Sequence, residues 1–193
     1  MGADDPETYR ELRWYWFQHD FPRLSLSERL RLERQNQTVL RRHLDEYEPD
    51  VVAWWAMGGM SMALIESVRR REMPAVGFVH DEWLVYGPLV DGWQRAVRRL
   101  GAGGPLSREL GVPAPVRLDL AADWVFVSEA MKLHAISELG PLPNAGVAHS
   151  GIDGSLFREA PGHRWRGRLL CAGRIDERKG IDLALPLSAC YQA

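Results

Sequence analysis

Arg174 and Lys179 are the residues best placed, by type and spacing, to do chemistry. They stand five positions apart in the stretch RLLCAGRIDERKGIDLA, residues 168–184. Leu169, Leu170, Cys171 and Ala172 form an apolar run of the length of a buried parallel strand. Gly173 ends that run where the backbone must turn or let something approach closely. From Asp176 the pattern turns amphipathic, with Ile181, Leu183, Ala184 and Leu185 on one side, so a helix is expected to start there. A strand, a turn and a helix N-terminus aim backbone N–H groups into a crevice. Two cations beside them suit a diphosphate. The same residues also suit a solvated basic turn between a strand and a helix.

Further candidates lie upstream, each at the end of an expected strand, where open α/β sheets bind their ligands. His80 and Asp81 close the run Pro74-Ala-Val-Gly-Phe-Val. Either could meet a ligand; a capping or core role suits both as well. Gly58 and Gly59 open a helix after the run from Asp50 to Trp55, so their amides could meet an anion, though close packing explains them better. Ser128 follows Trp124-Val-Phe-Val and reads first as a helix N-cap. Trp54, Trp55 and Trp83 also sit near strand ends. His80, Asp81 and Glu82 are adjacent and would point different ways, so no metal site is expected.

The elements that must hold these residues alternate. Ser25-Leu-Ser-Glu28 is a capping box that opens a helix running towards Pro49, with Leu26, Leu30, Val39, Leu40, Leu44 and Tyr47 on its apolar face. Arg29, Arg31, Arg34, Arg41 and Arg42 form its solvated side. Strands are expected over residues 50–55, 74–79, 124–127 and 146–149, and helices over 60–71, 87–100 and 129–139. Residues 118–123 read as the approach to the third strand. Strand, helix and strand in this order imply right-handed parallel crossovers. Gly101-Ala-Gly-Gly104 follows a helix, so it is a C-cap and loop and not a dinucleotide fingerprint. An acidic ribose ligand for a nicotinamide cofactor is likewise not placed at a strand end. Residues 9–21 carry Trp14, Tyr15, Trp16 and Phe17 and must pack on something.

The string G-R-x-D-x-x-K-G, after an apolar strand and before I-D-L-A, resembles the opening of the donor domain in retaining GT-B glycosyltransferases of family 4. His80-Asp81, Ser128-Glu129-Ala130 and His149-Ser-Gly-Ile-Asp153 with Phe157 resemble that family's segments in order and spacing, with Ser150 where the family has Asn. The resemblance implies an α/β fold with a Rossmann-like parallel sheet flanked by helices, of GT-B type and truncated at both ends. It implies a partial acceptor-side domain over residues 1–158, a linker at 159–167 and the start of a donor domain at 168–193. By the same resemblance Gly173, Arg174 and Lys179 would bind the donor diphosphate, and Arg174 and Lys179 would neutralise the leaving group. His80 would line the reacting face, while Gly58, Gly59, Asp81 and Ser128 are possible acceptor or sugar contacts. The implied reaction moves a sugar from a nucleoside-diphosphate sugar to an acceptor hydroxyl with retention, without metal or other cofactor. A Glu-x7-Glu donor segment does not follow Lys179, and Pro186 would break the helix, so little or no activity is expected of this chain by itself. The alternative is a non-catalytic α/β acceptor-binding or interaction module.

Composition narrows the classes. The chain has 193 residues, 46% hydrophobic and 26% charged, which suits a globular domain with a sizeable core. A net charge of −2 gives no reason to expect nucleic acid as a partner. Two cysteines make no disulfide framework and fit a reducing, cytoplasmic setting. No apolar run approaches the roughly 20 residues of a membrane span.

Overall fold

The computed structural model describes residues 8–16, 20–101, 107, 109–157, 162, 170 and 179–181. The chain divides into two compact units, Met1–Ser150 and Gly151–Ala193. The first unit is an α/β domain with a four-stranded parallel sheet and flanking helices, a Rossmann-like arrangement. Its strands are β1 (Val52–Trp55), β2 (Ala75–Val79), β3 (Asp123–Phe126) and β4 (Ala145–Val147). They lie in chain order, β1-β2-β3-β4.

Side chains alternate across the sheet as strand geometry requires. Trp54, Gly77, Trp124 and Ala145 are register partners on the face that builds the core, with Val79 and Phe126 beside them. One register step away, Trp55, Phe78, Val125 and Gly146 share the other face. There Trp55 is 55% exposed, and Ala53, Asp123 and Gly146 are exposed too. The helices therefore pack on one side of the sheet.

Those helices are α1 (Leu26–Tyr47), α2 (Ala63–Arg70), α3 (Trp83–Val90), α4 (Gly92–Leu100), α5 (Leu118–Ala121) and α6 (Glu129–Leu139). Leu64, Ile65, Trp83, Leu84 and Ala135 join the strand residues in the main core. A second cluster of Tyr15, Leu32, Ala63, Trp93 and Val97 fills the space between α1, α2 and α4.

The capping box closes as the sequence spacing requires: the Ser25 hydroxyl accepts from the Glu28 N–H, and the Glu28 carboxylate accepts from the Ser25 N–H at 2.7 Å. Ser25→Ala should lower stability by about 1 kcal/mol, read as a shift of the urea midpoint with an unchanged slope. An unchanged midpoint would show that tertiary packing alone fixes the start of α1.

Three expectations need correction. The single helix expected over residues 87–100 is two, because Asp91 breaks it and caps the second with its own carboxylate. The first of the two already starts at Trp83, whose N–H is taken by Asp81. Residues 118–121 are a short helix before β3. The inner face of α1 is also less apolar than its pattern: Leu26 and Tyr47 are exposed, while Glu33, Asn36 and Gln37 are buried. Asn36 explains itself, since its amide both accepts from the Arg13 N–H and donates to the Arg13 carbonyl. Among the described residues no helix is long and apolar enough to cross a membrane.

Candidate functional site at the carboxyl ends of the strands

The carboxyl ends of β1, β2 and β3 bring several of the sequence-named residues to one rim. His80 follows the last residue of β2 and is exposed. Its ring stacks on Trp55 of β1, with centroids 5.3 Å apart and planes 24° apart. Trp55 in turn stacks on Phe78 at 4.2 Å and 20°. The three rings form a ladder because Trp55 and Phe78 are register partners and His80 lies two residues beyond Phe78 on the same face. Ala56, next after Trp55, sits in the left-handed region at φ +45°, a strained conformation for a residue with a side chain.

Asp81 has a structural role as well as an exposed position. Its Oδ1 accepts from the Trp83 N–H at 2.8 Å and so starts α3. Glu82 lies 3.8 Å from His134 of α6, an ion pair whenever that imidazole is charged. Ser128 caps α6 by accepting from the Met131 N–H at 3.2 Å. His149, just beyond β4, donates from Nδ1 to the Val127 carbonyl at 3.0 Å, which leaves Nε2 as its outward nitrogen.

Gly58 and Gly59 serve packing. A side chain on Gly58 would sit 2.1 Å from the Tyr86 hydroxyl, so the phenol of α3 occupies the space that the glycine leaves. Burial, with the charge of Asp81 second, holds the Tyr86 phenol above its ordinary pKa. Gly59 has φ +89°, and Trp16 and Phe21 cover it. Its carbonyl accepts from the Tyr15 N–H at 2.8 Å. Trp14, Tyr15, Trp16 and Phe21 thus pack on the turn after β1.

In the second unit, Lys179 is exposed and in 3₁₀ conformation, Gly180 is a turn residue at φ +62° and Ile181 is helical. Gly173 and Arg174 lie outside the described residues, as does the expected helix start at Asp176. The linker at 159–167 lies outside them too, apart from Gly162. Among the described residues no group of three or more His, Cys, Asp or Glu is gathered to hold a metal ion. A cleft of about 380 Å³ lined by Pro88, Val97, Arg98 and Val116, and one of about 500 Å³ sharing Pro88 and Val116, include none of the candidate site residues named from the sequence.

Two residues of this rim escaped sequence reasoning. Tyr86 and His134 lie inside helices, and only the fold brings them to Gly58 and Glu82. His149 stood in a recognised segment but read as a structural lead-in; its position at a strand end was the available signal. No family model, curated protein or solved structure matches this chain.

Proposed function

We propose that this chain is part of a retaining glycosyltransferase, its first unit binding the acceptor and its second opening the site for a nucleoside-diphosphate sugar. One observation supports this reading above others. The segments that carry the resemblance in the first unit, at His80, Ser128 and His149, each begin where a parallel strand ends, at β2, β3 and β4 in turn. Ligands of open α/β sheets collect at those ends.

In this reading the bond between the anomeric carbon and the diphosphate oxygen breaks. A new bond to the acceptor oxygen forms on the same face, and the acceptor hydroxyl passes its proton to the departing diphosphate oxygen. The departing diphosphate gathers negative charge, which Arg174 and Lys179 neutralise; electrostatic terms of this kind are the largest in such transfers. His80, held against Trp55, positions the sugar or the acceptor. Gly173 lets the diphosphate approach the backbone, Asp81 and Ser128 stand beside the acceptor, and Gly58 and Gly59 serve through the packing of the turn after β1.

The test is calorimetric titration of the protein with nucleoside diphosphates. Binding should weaken about 100-fold or more in Arg174→Ala and in Lys179→Ala, since each loses a charge-assisted contact to phosphate. Unchanged affinity in both variants would end the donor-site assignment. A second reading, a non-catalytic acceptor-binding module, is favoured by the ring ladder of exposed Trp55 and His80 with half-buried Phe78, which can hold a sugar face without any reaction. That module would keep its ligand in both variants and lose it in Trp55→Ala.

A further inference from the structure

Tyr15, Glu33, Ser61 and Asp91 form a buried polar cluster that the proposed reaction does not use. Glu33 projects from α1 and is fully buried. Its Oε1 accepts from the Tyr15 hydroxyl at 2.6 Å and its Oε2 from the Ser61 hydroxyl. Both partners are neutral, and among the described residues no cation is paired with Glu33.

Asp91, equally buried, is the second carboxylate of the cluster. It differs in its partners. Oδ2 accepts from the Met62 N–H at 2.8 Å, and Oδ1 from the Trp93 and Gln94 N–H groups at 2.8 and 2.9 Å. Burial raises the Asp91 carboxyl to about 6, and the three backbone donors with Arg95 favour its charged form and keep it from rising further. Two hydroxyls offer Glu33 far less, and the nearby negative charge opposes its ionisation. The site therefore stores its proton on Glu33, in which form Oε2 donates to the Ser61 hydroxyl oxygen while Oε1 keeps accepting from Tyr15. Burial, with Asp91 second, pushes that carboxyl up to about 8.

What closes over Glu33 is the segment of residues 9–16, not a helix of the core. The Tyr15 ring lies against Gly92, where an added side chain would come within 2.8 Å of it, and the aliphatic arm of Arg29 lies on the same glycine. The segment is fastened by the Tyr15 hydroxyl on Glu33, the Tyr15 N–H on Gly59, the Arg13–Asn36 pair and the Glu11 contacts with Arg42 and His43. Facing Glu33 from the elements around it are the Tyr15 phenol, the Ser61 hydroxyl and the Asp91 carboxylate.

We propose that this cluster is a proton-operated latch: Glu33 with its proton holds residues 9–16 down on the Gly59 turn, and Glu33 without it lets the segment lift. A second buried negative charge needs water, and α1 cannot leave the core to provide it. The short segment can. Lifting it breaks the Tyr15–Gly59 hydrogen bond and frees the turn beside Trp55 and Tyr86, so the carboxyl-end rim loosens with it. The direction follows from the sign of the shift. A carboxyl raised in the folded state contributes a stability that is complete below its unfolded value and is lost as pH rises through about 8.

Amide hydrogen exchange of residues 13–16, corrected for the intrinsic effect of pH, tests this at about pH 6 and about pH 9. In the native chain protection should fall about tenfold or more at the higher pH, while in Glu33→Gln, which stays neutral, it should hold. A smaller fall in the native chain, or an equal fall in Glu33→Gln, overturns the latch. Should the variant not fold, carbon-13 NMR of the Glu33 carboxyl in the native chain decides instead. A titration midpoint above about pH 6 supports the latch, and one at or below it overturns it.

Discussion

Gly77→Val will lower the stability of the domain by about 3 kcal/mol or more, enough to remove much of what a domain of this size possesses. Gly77 lies on the core face of β2, directly across from Trp124 in register. The indole fills the space that the glycine leaves: an added Cβ would sit 2.1 Å from Trp124 Cζ3 and 2.3 Å from Cε3. The ring has nowhere to go. Its Nε1 donates to the Leu118 carbonyl at 2.8 Å, and Trp83 meets it nearly edge-on at 5.8 Å. Gly77→Ala should show the same effect at about 1–3 kcal/mol. Urea denaturation gives both values, and the cause can be isolated by shrinking the ring. In Trp124→Leu, Gly77→Ala should lose most of its effect, because the two residues share one volume. A full effect of Gly77→Ala in that background would place its origin in the backbone and not in the indole.

Asp91→Ala should be about as damaging, at about 3–5 kcal/mol. Its carboxylate accepts from the Met62, Trp93 and Gln94 N–H groups, and the residue is fully buried. Alanine takes away the carboxylate that all three buried donors share. It also removes the cap of α4 and the tie that holds Met62 at the head of α2. Asp91→Asn separates the contributions. Its amide oxygen still serves Trp93 and Gln94, while its NH₂ opposes the Met62 N–H, so the loss should shrink to about 1–2 kcal/mol. Thermal melts of both variants at neutral pH are the measurement. Equal losses for Ala and Asn would mean that the charge matters and the hydrogen bonds do not.

Much of the framework could be read directly from the sequence, because its causes are local. Ser25 and Glu28 announce α1 through two reciprocal bonds within one turn, and Gly101 and Gly140 mark the ends of α4 and α6 with positive φ. The short apolar runs became strands with ends shifted by a residue or two. What could not be read depends on partners far along the chain. Glu33, Asn36 and Gln37 look solvated on α1 until Tyr15, Arg13 and Ser67 supply their hydrogen bonds. Asp91 reads as an ordinary helix residue until its carboxylate is seen turning back on Trp93 and Gln94. At the rim, His80 was legible because it ends a strand. Its stacking on Trp55 was not, since register sets which rings meet.

The order of the strands has a consequence for how this domain is made. Each strand lies beside the one synthesised just before it, so β2 finds β1 waiting and β4 finds β3. No position in the sheet has to stay vacant for a later arrival. As the chain leaves the ribosome the sheet can lengthen from one side, and closing each connection costs only a slowly growing function of its length. The slow step by this measure is the link from Val79 to Asp123, the longest of the three, which must fold α3, α4 and α5 before β3 can dock.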